Sequence, residues 1–340
     1  MTRPAPSFAH LSALTDERGL FEHARGNVPR REHGYCVDDV VRALVVVIRE
    51  PHRSVLTDRL ASTYVAFVAD AVAPDGRIRN RMSTEGRWLD RPDVGDWWGR
   101  ALWALGLTAA QAPAAEMRAR ATELFRRAAQ QRSPHLRATA YAVIGAAEFA
   151  AAHPDDLVAL ALARDAAVPL TTRVDAEWPW PEPRLRYANA VLAEGLLAAG
   201  TCLGDRRLVD RGLEMLTFLL GVETRGGHLS VTGVGGRGPA DLDAQFDQQP
   251  IEVAVIAEAC ARAFDLTGDP TWRDGVALAW AWFEGANDNG TRMFDPDTGA
   301  GYDGLTRDGR NDNRGAESTL AALTARQLAL RLRVLGTVIT

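Results

Sequence analysis

The sequence contains no lysine, so all 39 of its basic residues other than histidine are arginine. This bias is typical of a GC-rich genome, and it supplies forked donors that suit carboxylates and hydroxyl groups. Cysteine is also scarce, with only Cys36, Cys202 and Cys260. Three widely spaced cysteines cannot all pair with one another. We therefore expect buried thiols in a reducing cytosol rather than a disulfide framework.

Long hydrophobic runs are missing as well. Val40–Ile48 is too short to cross a bilayer and contains Arg42. Met1–Leu14 has no apolar core segment of the kind that a signal peptide requires. A net charge of −5 and a pI near 5.9 provide no attraction to nucleic acids or anionic membranes. The composition thus predicts a soluble cytoplasmic protein with neither a nucleic-acid nor a membrane partner.

One pattern, a polar start followed by an apolar helix, occurs six times in the chain. The first copy is Gly34–Leu44, and the others begin near Gly95, Pro134, Arg186, Asp247 and Asn313. Helices that are rich in Ala, Leu and Val on nearly every face are buried helices. Six such helices with polar groups at their N-terminal ends predict a ring of inner helices whose starts share one mouth.

More polar helical segments and four long connections separate these starts. The connections are Ala73–Asp96, Val168–Arg184, Glu223–Asp247 and Asn287–Asn313, and their turn residues are compatible with short hairpins. The unequal spacing of the starts argues against a solenoid. We therefore predict an all-α fold, a single (α/α)6 toroid over residues 1–340 with long loops at one mouth. Residues 1–31 are expected to form an irregular lead-in, with one short helix near Phe8–Leu14.

Carboxylates at two of the helix starts are candidate catalytic groups. Asp38 and Asp39 open the first inner helix, and because neighbouring helical residues point about 100° apart, only one of them is expected to face a substrate. Glu252 lies in the first turn of the fifth inner helix, where the helix dipole favours a carboxylate. The alternative for all three residues is simple helix capping.

Aromatic residues lie beside several of these polar groups. Asp96 precedes Trp97 and Trp98, a combination suited to a sugar subsite, although tryptophans are most often core residues. We expect one of these two rings in the core and the other in the cleft. Trp178 and Trp180 occur in a proline-rich loop, where a cleft wall and simple packing are equally good interpretations. The remaining candidates for substrate binding are Tyr35, Arg42, Tyr187, Asn189, Gln248, Gln249 and Glu317.

Motifs for metals, phosphate and serine nucleophiles are not found in the sequence. The cysteines and histidines lack metal-ligand spacing, and Gly233–Gly236 has no P-loop lysine. No Gly-x-Ser-x-Gly elbow is present. We therefore expect neither a metal ion nor a cofactor.

Taken together, seven segments resemble a bacterial group of (α/α)6 proteins that often accompany sugar-polymer genes. They are His33–Asp39, Arg87–Asp90, Gly99–Gly106, Trp178–Trp180, Tyr187–Ala190, Gln248–Glu252 and Gly315–Thr319. Within the group, chain size and arginine-only composition look closest to α-(1→4)-endomannosidases of methylmannose polysaccharide. The resemblance implies a glycoside hydrolase with one carboxylate from Asp38 or Asp39 and the other from Glu252. Where many relatives carry Asp-Asn, this chain has Ala188-Asn189, which argues against an acidic role there.

The expected reaction is hydrolysis of an α-mannosidic bond within an intracellular oligosaccharide or polysaccharide. Helix starts that face across a cleft fit the carboxyl spacing of about 6.5–9.5 Å found in inverting enzymes. One alternative is a sugar 2-epimerase on the same toroid, which requires two facing histidines. Only His33 and His135 lie near inner helix starts. The other alternative is a non-catalytic glycan-binding partner of a glycosyltransferase.

Overall fold

Helices dominate the part of the chain that the computed structural model describes, residues 7–335. Within it, twelve helices follow in order: α1 (Ala9–Ala13), α2 (Val37–Arg49), α3 (Val55–Ala71), α4 (Asp96–Gln111), α5 (Ala115–Ala128), α6 (Leu136–Ala152), α7 (Leu157–Leu170), α8 (Ala190–Leu203), α9 (Arg206–Glu223), α10 (Pro250–Thr267), α11 (Pro270–Glu284) and α12 (Ala316–Arg331). None of these helices is long and apolar enough to span a membrane.

The even-numbered helices form a closed inner ring. Each of them packs against the next, and α12 packs against α2. The helices α3, α5, α7, α9 and α11 lie outside the ring, each against the inner helix that precedes it, while the short α1 packs on α12. This arrangement confirms the predicted (α/α)6 toroid.

Glycine allows two of the inner helices, α4 and α6, to pack backbone against backbone. A methyl group at Gly99 would overlap the carbonyl of Ala138, and one at Gly106 would overlap the carbonyl of Gly145. Because glycine has no Cβ, the two helix axes can approach more closely than larger residues would permit. This crossing fixes how the starts of α4 and α6 lie beside each other.

The strands of the described region are short, and all pair antiparallel in twos. They are β1 (Ala24–Arg25), β2 (Val28–Pro29), β3 (Tyr35–Cys36), β4 (Arg81–Met82), β5 (Thr224–Arg225), β6 (His228–Leu229), β7 (Gly304–Thr306) and β8 (Gly309–Asn311). The β5–β6 and β7–β8 hairpins lie in the third and fourth long connections. In the first connection, β4 pairs with β3 instead of forming a local hairpin, which joins that loop to the start of α2.

The eighth helix begins later than its apolar sequence predicts, at Ala190 rather than near Leu185. Leu185 bridges to Arg237 in the neighbouring loop, and Ala188 has a positive φ of 46°. An α-helix cannot continue through a left-handed residue, so regular structure starts only after Asn189. The irregular turn at residues 185–189 forms part of the candidate site.

The predicted lead-in lies across the start of α12. The carbonyl oxygen of Glu22 accepts from Ala316 N at 3.0 Å, and that of Gly26 accepts from Arg314 N at 3.0 Å. The helix expected near Phe8–Leu14 is present as α1. The lead-in therefore helps to shape the mouth of the ring.

Candidate active site

Polar contacts link the starts of five inner helices at one end of the ring, which we call the mouth. Asp38 of α2 contacts Arg100 of α4, and Arg42 of α2 contacts Glu317 of α12. Asn189, immediately before α8, donates from Nδ2 to Glu252 of α10. The predicted convergence of these residues is therefore present in the structure.

Asp38 is an ionised carboxylate at the edge of this network. Its Oδ1 accepts from Nη1 of the buried Arg100 at 2.6 Å, and its side chain is 21% exposed. The Arg100 guanidinium also lies 5.0 Å from the centroid of the Tyr141 ring. Burial raises the pKa of Asp38, but the charges of Arg100 and Arg42 outweigh burial and hold it below the usual value. Of the two adjacent aspartates, Asp38 is the more accessible.

Asp39 lies deeper and has a different environment. Its Oδ1 accepts from Arg42 Nη2 at 2.7 Å, and the Cys36 thiol donates to Oδ2 at 3.1 Å. Burial raises the pKa of Asp39 to about 6; Arg42 opposes this shift, whereas Glu317 and Glu22 add to it. Asp39 therefore positions Arg42, which in turn donates to the half-exposed Glu317 at 2.8 Å.

Glu252 is held by the turn that delays α8. It accepts from the backbone N–H of Ala188, and from N and Nδ2 of Asn189 at 3.2 and 3.0 Å. Burial and then the charge of Glu223 raise the pKa of Glu252 to about 8, against the opposing effect of these hydrogen bonds. Burial and the neighbouring Glu223 thus favour the protonated form of this carboxyl group.

Glu223, the last residue of α9, was missed by the sequence reasoning. It is fully buried, and its Oε1 accepts from both N and Oγ1 of Thr232. Its Oε2 has no hydrogen-bond partner among the described residues. The end of an outer helix carries no pattern pointing to the mouth, so only the fold brings Glu223 near Glu252.

Glu252 and Gln249 lie in the wall of a cavity of about 620 Å³. The rest of the wall comes from residues 184–187 and 232–236. This volume lies within the range of small-molecule sites, about 300–1,000 Å³. A smaller space of about 20 Å³ on the ring axis is lined by Arg42, Ile251 and Glu317, among others. The starts of α2, α10 and α12 thus converge on the axis.

The ring order places the two catalytic candidates closer together than diametrically opposed helices would. Both α2 and α10 pack against α12, so one helix separates them. The helix opposite α2 is α8. The two helices that carry the expected pair are therefore both neighbours of α12.

The two tryptophans at the start of α4 differ in burial. Trp98 is 1% exposed and donates from Nε1 to Ala128 O, so its assignment to substrate binding is wrong. Trp97 is half-buried and donates to Ile78 O at 2.7 Å. Asp96 beside them accepts from the Tyr187 hydroxyl at 2.7 Å, and Tyr187 is 45% exposed. Asp96, Trp97 and Tyr187 remain candidates for substrate binding.

The two tryptophans of the proline-rich loop do not form a cleft wall. Trp178 and Trp180 are both buried, and both pack on Phe218 of α9, with ring centroids 5.0 and 6.2 Å away. Trp178 donates from Nε1 to Glu182 O at 2.8 Å. Assigning these two rings to substrate binding is therefore wrong: the loop folds back on α9, and both rings belong to the hydrophobic core of the toroid.

Two further predicted substrate ligands are buried. Tyr35 is 2% exposed, stacks on Phe21 and donates to Asp16 Oδ2 at 2.7 Å. Gln248 is fully buried and donates to Asp288 at 2.5 Å. Both assignments are therefore wrong, because these side chains anchor loops instead of facing the mouth.

One group of possible metal ligands lies beside α2. Donor atoms of Glu22, Cys36 and Asp39 lie within 4.8 Å of one another. Arg81 pairs with Glu22 and Arg42 pairs with Asp39, so both carboxylates already have cationic partners. Burial raises the pKa of the Cys36 thiol well above its usual value, which disfavours the thiolate that a metal requires. These residues therefore do not fit a metal site.

Histidines are distributed unevenly around the mouth. His23 of the lead-in and His33, just after it, form an edge-to-face pair with ring centroids 4.9 Å apart. His135 is exposed and immediately precedes α6. The two histidines that sequence reasoning considered, His33 and His135, thus lie on different elements, and neither contacts the carboxylates described above.

Comparisons with known proteins support the fold. No protein-family model and no curated protein matches the chain. Among solved structures, a sugar epimerase from a ruminal bacterium has a TM-score of 0.72 at 15% identity, covering 97% of this chain and 96% of the epimerase. Cellobiose 2-epimerase from Bacillus thermoamylovorans has a TM-score of 0.72 at 11% identity, with 96% of each chain covered.

An α-1,6-mannanase from a Salegentibacter species is also similar. Its TM-score is 0.64 at 13% identity, with 95% of this chain and 98% of the mannanase covered. That enzyme has also been solved with α-1,6-mannotetrose, as an inactive variant in which two consecutive aspartates are replaced by alanine. At these identities, the similarity establishes a shared toroid fold.

Proposed function

We propose that this protein is a carbohydrate-active enzyme that hydrolyses α-mannosidic bonds in an oligosaccharide or polysaccharide. The observation that carries the proposal is a pair of carboxyl groups whose environments separate their pKa values. Arg100 keeps Asp38 ionised, while burial and Glu223 keep Glu252 protonated. Glycoside hydrolysis requires this division between a base and an acid.

In the proposed reaction, Glu252 donates its proton to the glycosidic oxygen as the bond to the anomeric carbon breaks. Asp38 accepts a proton from the water molecule that attacks that carbon. Product release and proton exchange with solvent then restore both groups. The mannanase whose variant lacking two consecutive aspartates is inactive shows that a similar fold can depend on aspartates for activity.

The proposed substrate is an α-1,4-linked mannose polymer that carries O-methyl groups, cleaved internally with inversion. This choice is supported by the chain size and the arginine-only composition, which resemble those of the methylmannose polysaccharide hydrolases. Val234, which is 64% exposed, lines the cavity beside Glu252 and offers an apolar contact for methyl groups. We further propose a cytoplasmic location, with which the free thiols of all three cysteines are compatible.

Sugar 2-epimerisation is the second candidate, because two of the similar folds belong to sugar epimerases. Such a reaction requires two basic groups on opposite sides of a sugar. His23 and His33 contact each other, so these two rings do not lie on opposite sides of a sugar. The carboxyl pair at the mouth therefore favours hydrolysis.

Anomeric proton NMR on α-(1→4)-mannose oligomers, with and without 6-O-methyl groups, tests the proposal. We expect a β-hemiacetal to appear before mutarotation, and we expect Glu252→Gln and Asp38→Asn to abolish turnover without loss of fold. Asp265→Asn, which alters an exposed carboxylate at the end of α10, is the matched control. Epimerised product would transfer the assignment to the second candidate. Tight oligosaccharide binding without any product would identify a glycan-binding partner instead of an enzyme.

A further inference from the structure

A second cavity, of about 660 Å³, lies at the end of the ring opposite the mouth. We call it the back cavity. Each inner helix contributes to its wall from its last two turns, with Arg49, Gln111, Glu148, Thr201, Asp265 and Arg331 as representatives. None of the residues in the proposed hydrolytic reaction lines it. Binding in the back cavity is therefore independent of the proposed hydrolytic reaction.

The back cavity carries an excess of negative charge. Five carboxyl groups line it against three guanidinium groups, an excess of two negative charges when all five carboxyl groups are ionised. The C-terminal ends of six helices converge there as well. Each helix contributes a partial negative charge of about half an elementary charge at that end. The electrostatic field in the cavity therefore favours a cation.

Two buried glutamates leave acceptor atoms open to this space. Glu194 and Glu258 are 4% and 7% exposed and accept through Oε1 from Arg262 Nε at 3.0 Å and from Arg49 Nη1 at 2.6 Å. For each glutamate, Oε2 has no hydrogen-bond donor among residues 7–335. Neither Oε2 is among the fully buried unpaired atoms of residues 7–335, so both oxygens are accessible to solvent. The two free oxygens are positions that an ammonium group can fill.

The environment of Glu258 favours a neighbouring cation. Burial raises the pKa of Glu258 to about 7; Arg49 opposes the shift and Glu194 adds to it. A bound cation would favour the ionised carboxylate, as nearby positive charges generally do. Ligand binding and ionisation of Glu258 should therefore reinforce each other.

Apolar surface separates the charged groups. Leu107, Leu266 and Leu328 form part of the wall, together with Ala261 on α10. Methylene groups pack favourably on such surface, at about 25 cal/mol per Å² buried. A ligand with charged ends and an aliphatic body therefore fits better than an inorganic ion.

We propose that the back cavity is a binding site for an aliphatic diamine, whose ammonium groups occupy the open carboxylate oxygens of Glu194 and Glu258. Two ammonium groups match the two excess negative charges. The methylene chain of the ligand lies against the leucines of the wall. Because the acceptors are carboxylates, binding weakens as the salt concentration rises.

Isothermal titration calorimetry of the full chain with 1,5-diaminopentane, at pH 8 and low salt, tests the site. Neutral 1,5-pentanediol is the matched ligand and should not bind. We expect Glu194→Gln and Glu258→Gln each to weaken diamine binding at least tenfold, or about 1.4 kcal/mol. Glu123→Gln removes an exposed carboxylate on α5 and should leave the affinity unchanged.

A second variant addresses the site without altering any charge. Thr201 is exposed on the last turn of α8, and Thr201→Trp should fill the back cavity and abolish binding. This variant still decides the question if a glutamate variant fails to fold. Equal binding of the diol, undiminished binding to Thr201→Trp, or loss of binding in Glu252→Gln would each overturn the proposal. The last result would place the diamine at the mouth.

Discussion

The close crossing of α4 and α6 makes Gly145→Ala a sharp test of the fold. Gly145 lies in the middle of α6, facing the backbone of α4. A Cβ at this position would lie 2.6 Å from the backbone nitrogen of Trp103 and would also overlap the Leu102 carbonyl. The atoms that it meets belong to the backbone, so no side-chain rotation can make room.

The size of the effect follows from two opposing contributions. Ordinary contacts of a Cβ begin near 3.4 Å, so the helices must separate by at least 0.8 Å, the difference between 3.4 and 2.6 Å, to clear Trp103 N, and by more to clear the nearer Leu102 carbonyl. Inserting a methyl group into a packed core costs about 1–3 kcal/mol and occasionally more. Replacing glycine by alanine within a helix stabilises it by about 1 kcal/mol. Because a backbone clash belongs at the upper end of the range, we expect the free energy of unfolding to fall by about 1–3 kcal/mol.

Urea unfolding followed by far-ultraviolet circular dichroism measures this change. Gly221→Ala is the matched control, since Gly221 lies in α9 with nothing within 4 Å of a Cβ. The control should raise the free energy of unfolding by up to about 1 kcal/mol, the helix propensity alone. A Gly145→Ala protein as stable as the control would refute the proposed backbone contact between α4 and α6.

Three further predictions concern the mouth. Glu252→Gln should lower kcat by about 10²–10⁴-fold because the proton donor is lost, and unchanged steady-state kinetics on the identified substrate would contradict its role. Activity should decline as pH rises through about 8, where Glu252 loses its proton. In Glu223→Gln this decline should move to lower pH, because the negative charge that raises the pKa of Glu252 is gone. An identical pH–rate profile in both proteins would show that Glu223 plays no part in catalysis. Asp38→Asn should abolish turnover, whereas Asp39→Asn should mainly raise KM by releasing Arg42, and the opposite pattern in the two kinetic constants would exchange the roles of the two aspartates.

The toroid was predictable from sequence because the inner helices are buried on nearly every face, and their amino-acid composition is correspondingly apolar. A helix such as α6 has apolar residues on almost every face, and only an inner position in a layered fold accounts for that. The acidic starts of α2 and α10 were equally visible, because Asp38 and Glu252 stand at the transition from polar to apolar sequence. Both features lie within short, continuous stretches of the chain, so they can be recognised directly in the amino-acid sequence.

The rest of the site depends on contacts that are distant in sequence. Arg100 lies 62 positions from Asp38, and Glu223 acts on Glu252 through a loop. No periodicity marks such partners. The tryptophan predictions failed for the same reason: whether Trp178 faces solvent depends on Phe218 of a separate helix. The composition of the loop alone does not decide whether Trp178 is buried or exposed.

The seam between α2 and α12 has a consequence for folding. The Arg42–Glu317 pair joins residues 275 positions apart, and His10 Nε2 lies 2.8 Å from Arg314 O, 304 positions away. Contacts of such long range are entropically costly to form and slow folding. One of the contacts at the mouth, Arg42–Glu317, lies on this seam, so a chain that has folded most of its helices without closing the ring still lacks a complete site. Closure of the ring and assembly of the site are therefore a single event.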